Sequence, residues 1–133
     1  MIEKKRFTFL GVTVECVLTD KSPDDFSDEA DGGVYGAPVL DDPTTFRVWF
    51  KGIVKDYVFV HECWHLYFAI MKYIDTRIHT FDELYEEIYA YSFHTLYSNV
   101  LETITHMKLY KRFWEEHKKD EEAEKVQSKG KKQ

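Results

Sequence analysis

Cysteine is scarce in this chain: Cys16 and Cys63 are the only two among 133 residues. One sits in a strand-like pattern and the other in a helical run, so they make no disulfide framework, and a reducing, cytoplasmic compartment is expected. No apolar leader is legible, because Met1-Ile2-Glu3-Lys4-Lys5-Arg6 runs straight into a strand pattern, and no apolar run is long enough to span a bilayer. No membrane partner is therefore expected. Positive charge is short as well: 18 Lys and Arg stand against 24 Asp and Glu, a net charge of −6. A nucleic-acid partner needs a clustered basic surface, which the first hundred residues lack, so a peptide or small molecule fits better. Internal repeats and a low-complexity core are also missing. What is present, 44% apolar and 17% aromatic residues, suits one domain with a modest core.

Taken in order, Arg6 to Leu18 alternates with period two, and the alternation slips at Gly11, which predicts a bulge or tight hairpin there. Asp20 to Asp31 is acidic and punctuated by Ser22-Pro23, and Gly32-Gly33 follows; this reads as a mobile surface loop. Val34 to Leu40 suggests a short strand, and Asp41-Asp42-Pro43 a turn. Thr44 to Phe50 alternates again, with Phe46, Val48 and Phe50 on one side and Arg47 and Trp49 on the other. That strand is placed to flank a cleft and to pair with an extended peptide, with an ordinary sheet strand the equal alternative. A first long helix is predicted from about Lys55 to Ile74. After Asp75 to His79, Thr80 and Glu83 read as a capping box that starts a second helix at Phe81, running to about Met107. The domain is expected over 1–113, with 114–133 a charged tail fraying from helix into disorder.

Within the first helix, His61-Glu62-Cys63-Trp64-His65 spells H-E-x-x-H. Residues four apart share a helix face, so His61 and His65 can offer two imidazoles to one metal ion. Glu62 follows about 100° round the axis, close enough to hold a water without being a ligand. The bare pattern is weak, since roughly one chain of this length in a few hundred carries it by accident. The flanks strengthen it: from Tyr57 to Met71 Glu62 is the sole acidic residue and no Lys or Arg accompanies it. A carboxylate on an apolar helix is costly unless something engages it. The bland alternative is a buried helix whose histidines donate hydrogen bonds to backbone carbonyls.

Two histidines hold zinc poorly, and a catalytic site ordinarily has three protein ligands. His65 lies about nine residues, roughly 13 Å, before the end of the first helix, and Glu87 about seven residues, roughly 10 Å, after the Thr80 cap. By height alone Glu83, Glu86 and Glu87 compete. Facing direction favours Glu87, which shares its side with Leu84, Ala90, Tyr91 and Ser98, and the small Ala90 is expected to let the helices approach. Tyr91 is a candidate hydrogen-bond partner for His61, with core packing the alternative.

The H-E-x-x-H at 61–65, followed about twenty residues later by Glu87-Ile88-Tyr89-Ala90-Tyr91, resembles the gluzincin pattern. It is most similar to the small phage-encoded metallopeptidases, in which H-E-x-x-H precedes a helix bearing E-x-x-A-Y; the likeness covers roughly His61 to Val100. It implies an α+β minimal zincin core, a small twisted sheet packed on two long antiparallel helices. It also implies Zn²⁺ held by His61, His65 and Glu87, with Glu62 as general base hydrolysing peptide bonds of a peptide or protein substrate, and a phage or bacterial host cytoplasm. Larger gluzincins carry an aspartate where this chain has Tyr91. Gluzincins often use a histidine or tyrosine to donate to the developing oxyanion, which the resemblance implies for His94, with an ordinary helix-surface histidine the alternative. Two rival expectations keep the zinc: an interaction module stabilised by the metal without catalysis, and a narrow regulatory protease that cleaves a single protein.

Overall fold

The computed structural model describes residues 1–36, 38–39, 42–74 and 83–131, with the side chains of 83–85 and 129–131 outside that description. Four strands, β1 (Ile2–Phe9), β2 (Val12–Thr19), β3 (Gly32–Val34) and β4 (Thr45–Lys51), precede three helices, α1 (Asp56–Ile74), α2 (Glu83–Thr105) and α3 (Lys108–Lys131). The architecture is α+β. The strands form one open mixed sheet in the order β1-β2-β4-β3, with β2 and β4 parallel and the other neighbours antiparallel.

The slip at Gly11 is a two-residue hairpin: Phe9 pairs with Val12, and both turn residues are left-handed, Leu10 at φ 47° and Gly11 at φ 80°. That is the turn whose twist matches antiparallel strands. Strand alternation then sends Val12, Val14, Cys16 and Leu18 of β2, with Phe46, Val48 and Phe50 of β4, to one face. Phe59, Cys63, Leu66 and Ile70 of α1 and Leu96, Val100 and Ile104 of α2 cover it. Each such large side chain contributes about 1.5–3 kcal/mol when fully buried, so this layer dominates the stability.

The opposite face is mixed, with Val17 and Trp49 buried beside charged residues. Glu15 is buried there between two guanidiniums, Arg6 at 2.9 Å and Arg47 at 2.5 Å. Burial pushes its carboxyl up, and the hydrogen bonds and charges of Arg47 and Arg6 more than reverse this, holding it below the usual carboxylate range. Tyr35 lies under Arg47, and Phe26 meets both Tyr35 and Trp49 edge to face.

Several expectations are corrected. β3 occupies Gly32–Val34 rather than Val34 to Leu40, so the glycine pair lies inside a strand; Leu40 lies outside the described residues. The Asp20–Asp31 segment is tied down: Ser22 Oγ donates to the Ala30 carbonyl at 3.0 Å, Lys51 Nζ to the Asp28 carbonyl at 2.7 Å, and Phe26 packs on Trp49. β4 is paired on both sides, which removes it as a partner for an incoming peptide. Thr80 and Phe81, the expected start of the second helix, and the connection from Asp75 lie outside the described residues.

The second helix also stops earlier than expected. A tight bond from Met107 N–H to the Ile104 carbonyl closes α2, and the Glu3 carboxylate accepts from the first N–H groups of α3, Leu109 at 2.9 Å and Lys108 at 3.3 Å. An anion at a helix N-terminus satisfies orphan donors and opposes the dipole. The tail is helical through Lys131, with its first turns packed through Leu109 and Phe113. Arg112–Glu116 and His117–Glu121 pair one turn apart beyond that. No helix among the described residues is long and apolar enough to cross a membrane.

Candidate active site

α1 runs without glycine or proline from Asp56 to Ile74, with Asp56 in its first turn and Lys72 in its last, the order its dipole favours. Its buried stripe fixes its rotation: with Phe59, Cys63, Leu66 and Ile70 against the sheet, His61 and His65 stand on the outer side, both exposed. Their Nε2 atoms converge to 3.1 Å, with the rings nearly perpendicular. Two nitrogens held about 2.0–2.1 Å from one tetrahedral ion stand about 3.3–3.4 Å apart, so this pair fits two vertices of a zinc site. The expectation of histidines spent on backbone carbonyls does not describe them.

Glu62 lies between the buried stripe and the imidazoles, only 9% exposed, with Oε1 4.0 Å from His61 Nε2. Burial pushes its carboxyl above the usual carboxylate range, and the two histidines partly offset that. A carboxyl shifted upward is better matched to accepting and returning a proton near neutral pH. Cys63 points the other way, fully buried in the core, where burial pushes its thiol up to about 12 and leaves it unreactive.

The wall facing these residues is β3, which no spacing argument identified. A Cβ on Gly32 would come within 3.1 Å of Glu62 Cγ and 3.2 Å of both Val58 Cγ1 and the Trp49 carbonyl. These contacts are tight, so any side chain there would force its neighbours to shift by a few tenths of an ångström, and glycine suits the close approach of the strand to α1. The signal was available in the Gly32-Gly33 pair, since glycine in a strand pattern marks close backbone approach as often as a turn. Gly32, Val34, Gly36 and Phe26 line a cleft of about 360 Å³ together with His61, Glu62 and His65.

β3 is also the sheet edge. Lys51 N–H donates to the Asp31 carbonyl and Tyr35 N–H to the Arg47 carbonyl, so the register makes Gly33–Trp49 a hydrogen-bonded pair between them. The N–H and C=O groups of Gly32 and Val34 therefore point away from β4, to a side where no strand is paired among the described residues.

α2 meets α1 through a different face from the one expected. Phe93 packs on Trp64 and Tyr67, Tyr97 on Phe59, and Ser92 Oγ lies 2.6 Å from the Tyr67 hydroxyl. Ala90, Tyr91, His94 and Ser98 are exposed, Tyr91 to 69%, so Ala90 is not the contact that brings the helices together and Tyr91 is not core. Tyr91 and His94 both stand away from the α1 contact. Glu86 and Glu87 are exposed too; Glu86 lies two turns before Phe93 and in phase with it, and Glu87 about 100° further round. The side chain of Glu83 falls outside the description. Among the described residues, no group of three or more His, Cys, Asp and Glu side chains is gathered closely enough to hold a metal ion.

No protein-family model matches the chain, and no curated protein or solved structure matches it. The likeness to gluzincins rests on the motif residues themselves.

Proposed function

We propose that this chain is a zinc-dependent peptidase of the minimal gluzincin kind. The observation that carries the reading is Glu62, a buried carboxylate held beside two converging imidazole nitrogens and facing a strand edge that has no partner among the described residues. His61 and His65 would hold the ion, with Glu87 on α2 the third ligand by resemblance to the family. A zinc ion bound there would supply Lewis acidity to the scissile carbonyl and to the attacking water. Glu62 takes the proton from the attacking water and returns it to the leaving amine. The outward N–H and C=O groups of Gly32 and Val34 pair with an extended peptide, the role first expected of β4.

Digestion of a peptide library by the zinc-loaded protein tests this, with and without a chelator. Cleavage that chelation abolishes and added zinc restores supports the reading; no cleavage by zinc-loaded protein overturns it. A second reading, a zinc-stabilised interaction module without catalysis, is favoured by one observation: the described side chains bring two ligands together and not three. Its mark is peptide binding and zinc binding with no hydrolysis.

A further inference from the structure

We propose that Phe26 is a specificity-determining residue of this cleft, selecting a peptide with a large apolar side chain at one position of an extended segment bound along β3. The inference rests on the open edge of β3, and goes beyond the peptidase reading by naming the substrate feature that the cleft recognises.

Strand geometry supplies the argument. Gly32 and Val34 share the sheet face that α1 covers, and Gly33 shares the opposite face with Trp49. Phe26 lies on that opposite face. A Cβ on Gly33 would come within 2.6 Å of Phe26 Cε1 and 2.5 Å of Trp49 Nε1, so the missing side chain leaves room for Phe26 against the edge strand. Yet Phe26 lines the same cleft as His61, Glu62 and His65, because the cleft wraps round the edge of β3 from one face to the other.

A peptide added to that edge continues the pleat and turns successive side chains to opposite faces. Those on one face meet α1 and its histidines, and the alternate ones meet the ring of Phe26. A half-buried aromatic ring favours an apolar side chain there.

Phe26 is also held in place before any peptide arrives. Its ring meets Trp49 at 5.0 Å and Tyr35 at 5.6 Å, both edge to face, and its N–H donates to the Pro23 carbonyl at 2.9 Å. Its surroundings in sequence make it more selective: Asp24, Asp25, Asp28 and Glu29 flank it in a loop where no other aromatic residue occurs. A fixed apolar contact of this kind loses little conformational freedom on binding.

The test is selection from a random-peptide display library against zinc-loaded Glu62→Gln protein, in parallel with the same protein carrying Phe26→Ala. The parent is expected to enrich peptides with a large apolar residue at one fixed position, and Phe26→Ala to lower that enrichment by about tenfold while leaving preferences at neighbouring positions unchanged. Phe26→Leu keeps an apolar contact on Trp49 and guards against a folding failure; it is expected to shift the preference from aromatic towards aliphatic side chains. Equal enrichment in parent and both variants overturns the proposal, as does selection without an apolar position or no selection at all. Binding with the expected enrichment, combined with no cleavage by the Glu62 protein, overturns the peptidase reading and leaves the role of Phe26 standing.

Discussion

The two faces of the sheet are built from different materials. On the helix side, β2 and β4 present only apolar side chains, and α1 and α2 close over them. On the other side a buried carboxylate is clasped by two arginines, with an aromatic cluster of Tyr35, Phe26 and Trp49 alongside. The first face gains its stability chiefly from area removed from water. The second adds to its buried Trp49 and Val17 a set of matched charges, which depends on pH. The cleft lies at the β3 edge, so it takes Glu62 and the histidines from one face and Phe26 from the other. The comparison predicts that chemistry and stability can be damaged separately.

The largest separation is expected at Glu62. Glu62→Gln keeps the shape of the side chain and removes the base, so peptide hydrolysis should fall by about 10²–10⁴-fold, the range that general acid–base catalysis supplies. Zinc content and melting temperature should not fall. Near wild-type cleavage by this variant would remove Glu62 from the mechanism.

Next comes the metal itself. Glu87→Ala should weaken zinc binding by more than about 100-fold if Glu87 is a direct ligand, since even indirect partners of a metal site are worth 10–100-fold. Zinc retained after dialysis against a weak chelator reads this out, for Glu87→Ala and Glu86→Ala side by side. The phase of α2 makes Glu86 the strict rival, because it is in line with Phe93 on the stripe that meets α1. Loss of metal in Glu86→Ala alone would move the ligand by one residue.

What the sequence made legible follows from which interactions are local. The hairpin at Gly11 broke a period of two, α1 carried a long unbroken apolar run, and the two imidazoles lay one turn apart, so each could be read within a few residues. β3 was harder to read, because Gly32 and Gly33 have low strand propensity and their only local sign is the glycine pair itself, next to Glu62 and Trp49 in the fold. The start of α3 depends on Glu3, more than a hundred residues away in sequence. The parallel pairing of β2 with β4 spans a long connection in the same way. On α2 the period that meets the core runs through Phe93, Leu96, Val100 and Ile104, which the local signal of Ala90 and Tyr91 does not reveal.

On the open face, Glu15→Gln should cost about 2 kcal/mol at neutral pH, because it removes charge-assisted hydrogen bonds from a buried site. The Glu15 carboxyl is held below its ordinary range in the folded protein, so its contribution is present above the unfolded pKa and fades as pH falls through the folded one. The gap between wild type and variant in urea unfolding should therefore shrink on acidification below the ordinary carboxylate range. A gap that is constant with pH would mean that Glu15 acts by packing alone.

The smallest effect is expected at the seam between α1 and α2. The Tyr67 hydroxyl lies 2.6 Å from Ser92 Oγ and 3.3 Å from the Tyr89 carbonyl, which also accepts from Ser92 Oγ at 3.1 Å. Tyr67→Phe keeps the ring against Phe93 and Trp64 and removes only the hydroxyl, so it should destabilise by about 1 kcal/mol, the net worth of an ordinary hydrogen bond. Ser92→Ala should cost a similar amount. Because the two hydroxyls share one network, the double variant should cost less than the sum, with a coupling of about 0.5 kcal/mol or more in a double-mutant cycle by urea unfolding. Zinc retention then sharpens the contrast with the ligand variants. If Tyr67→Phe loses metal as well as stability, the seam sets the distance from α2 to the histidines; if it loses stability alone, the helix side holds the fold and the ligands through separate contacts.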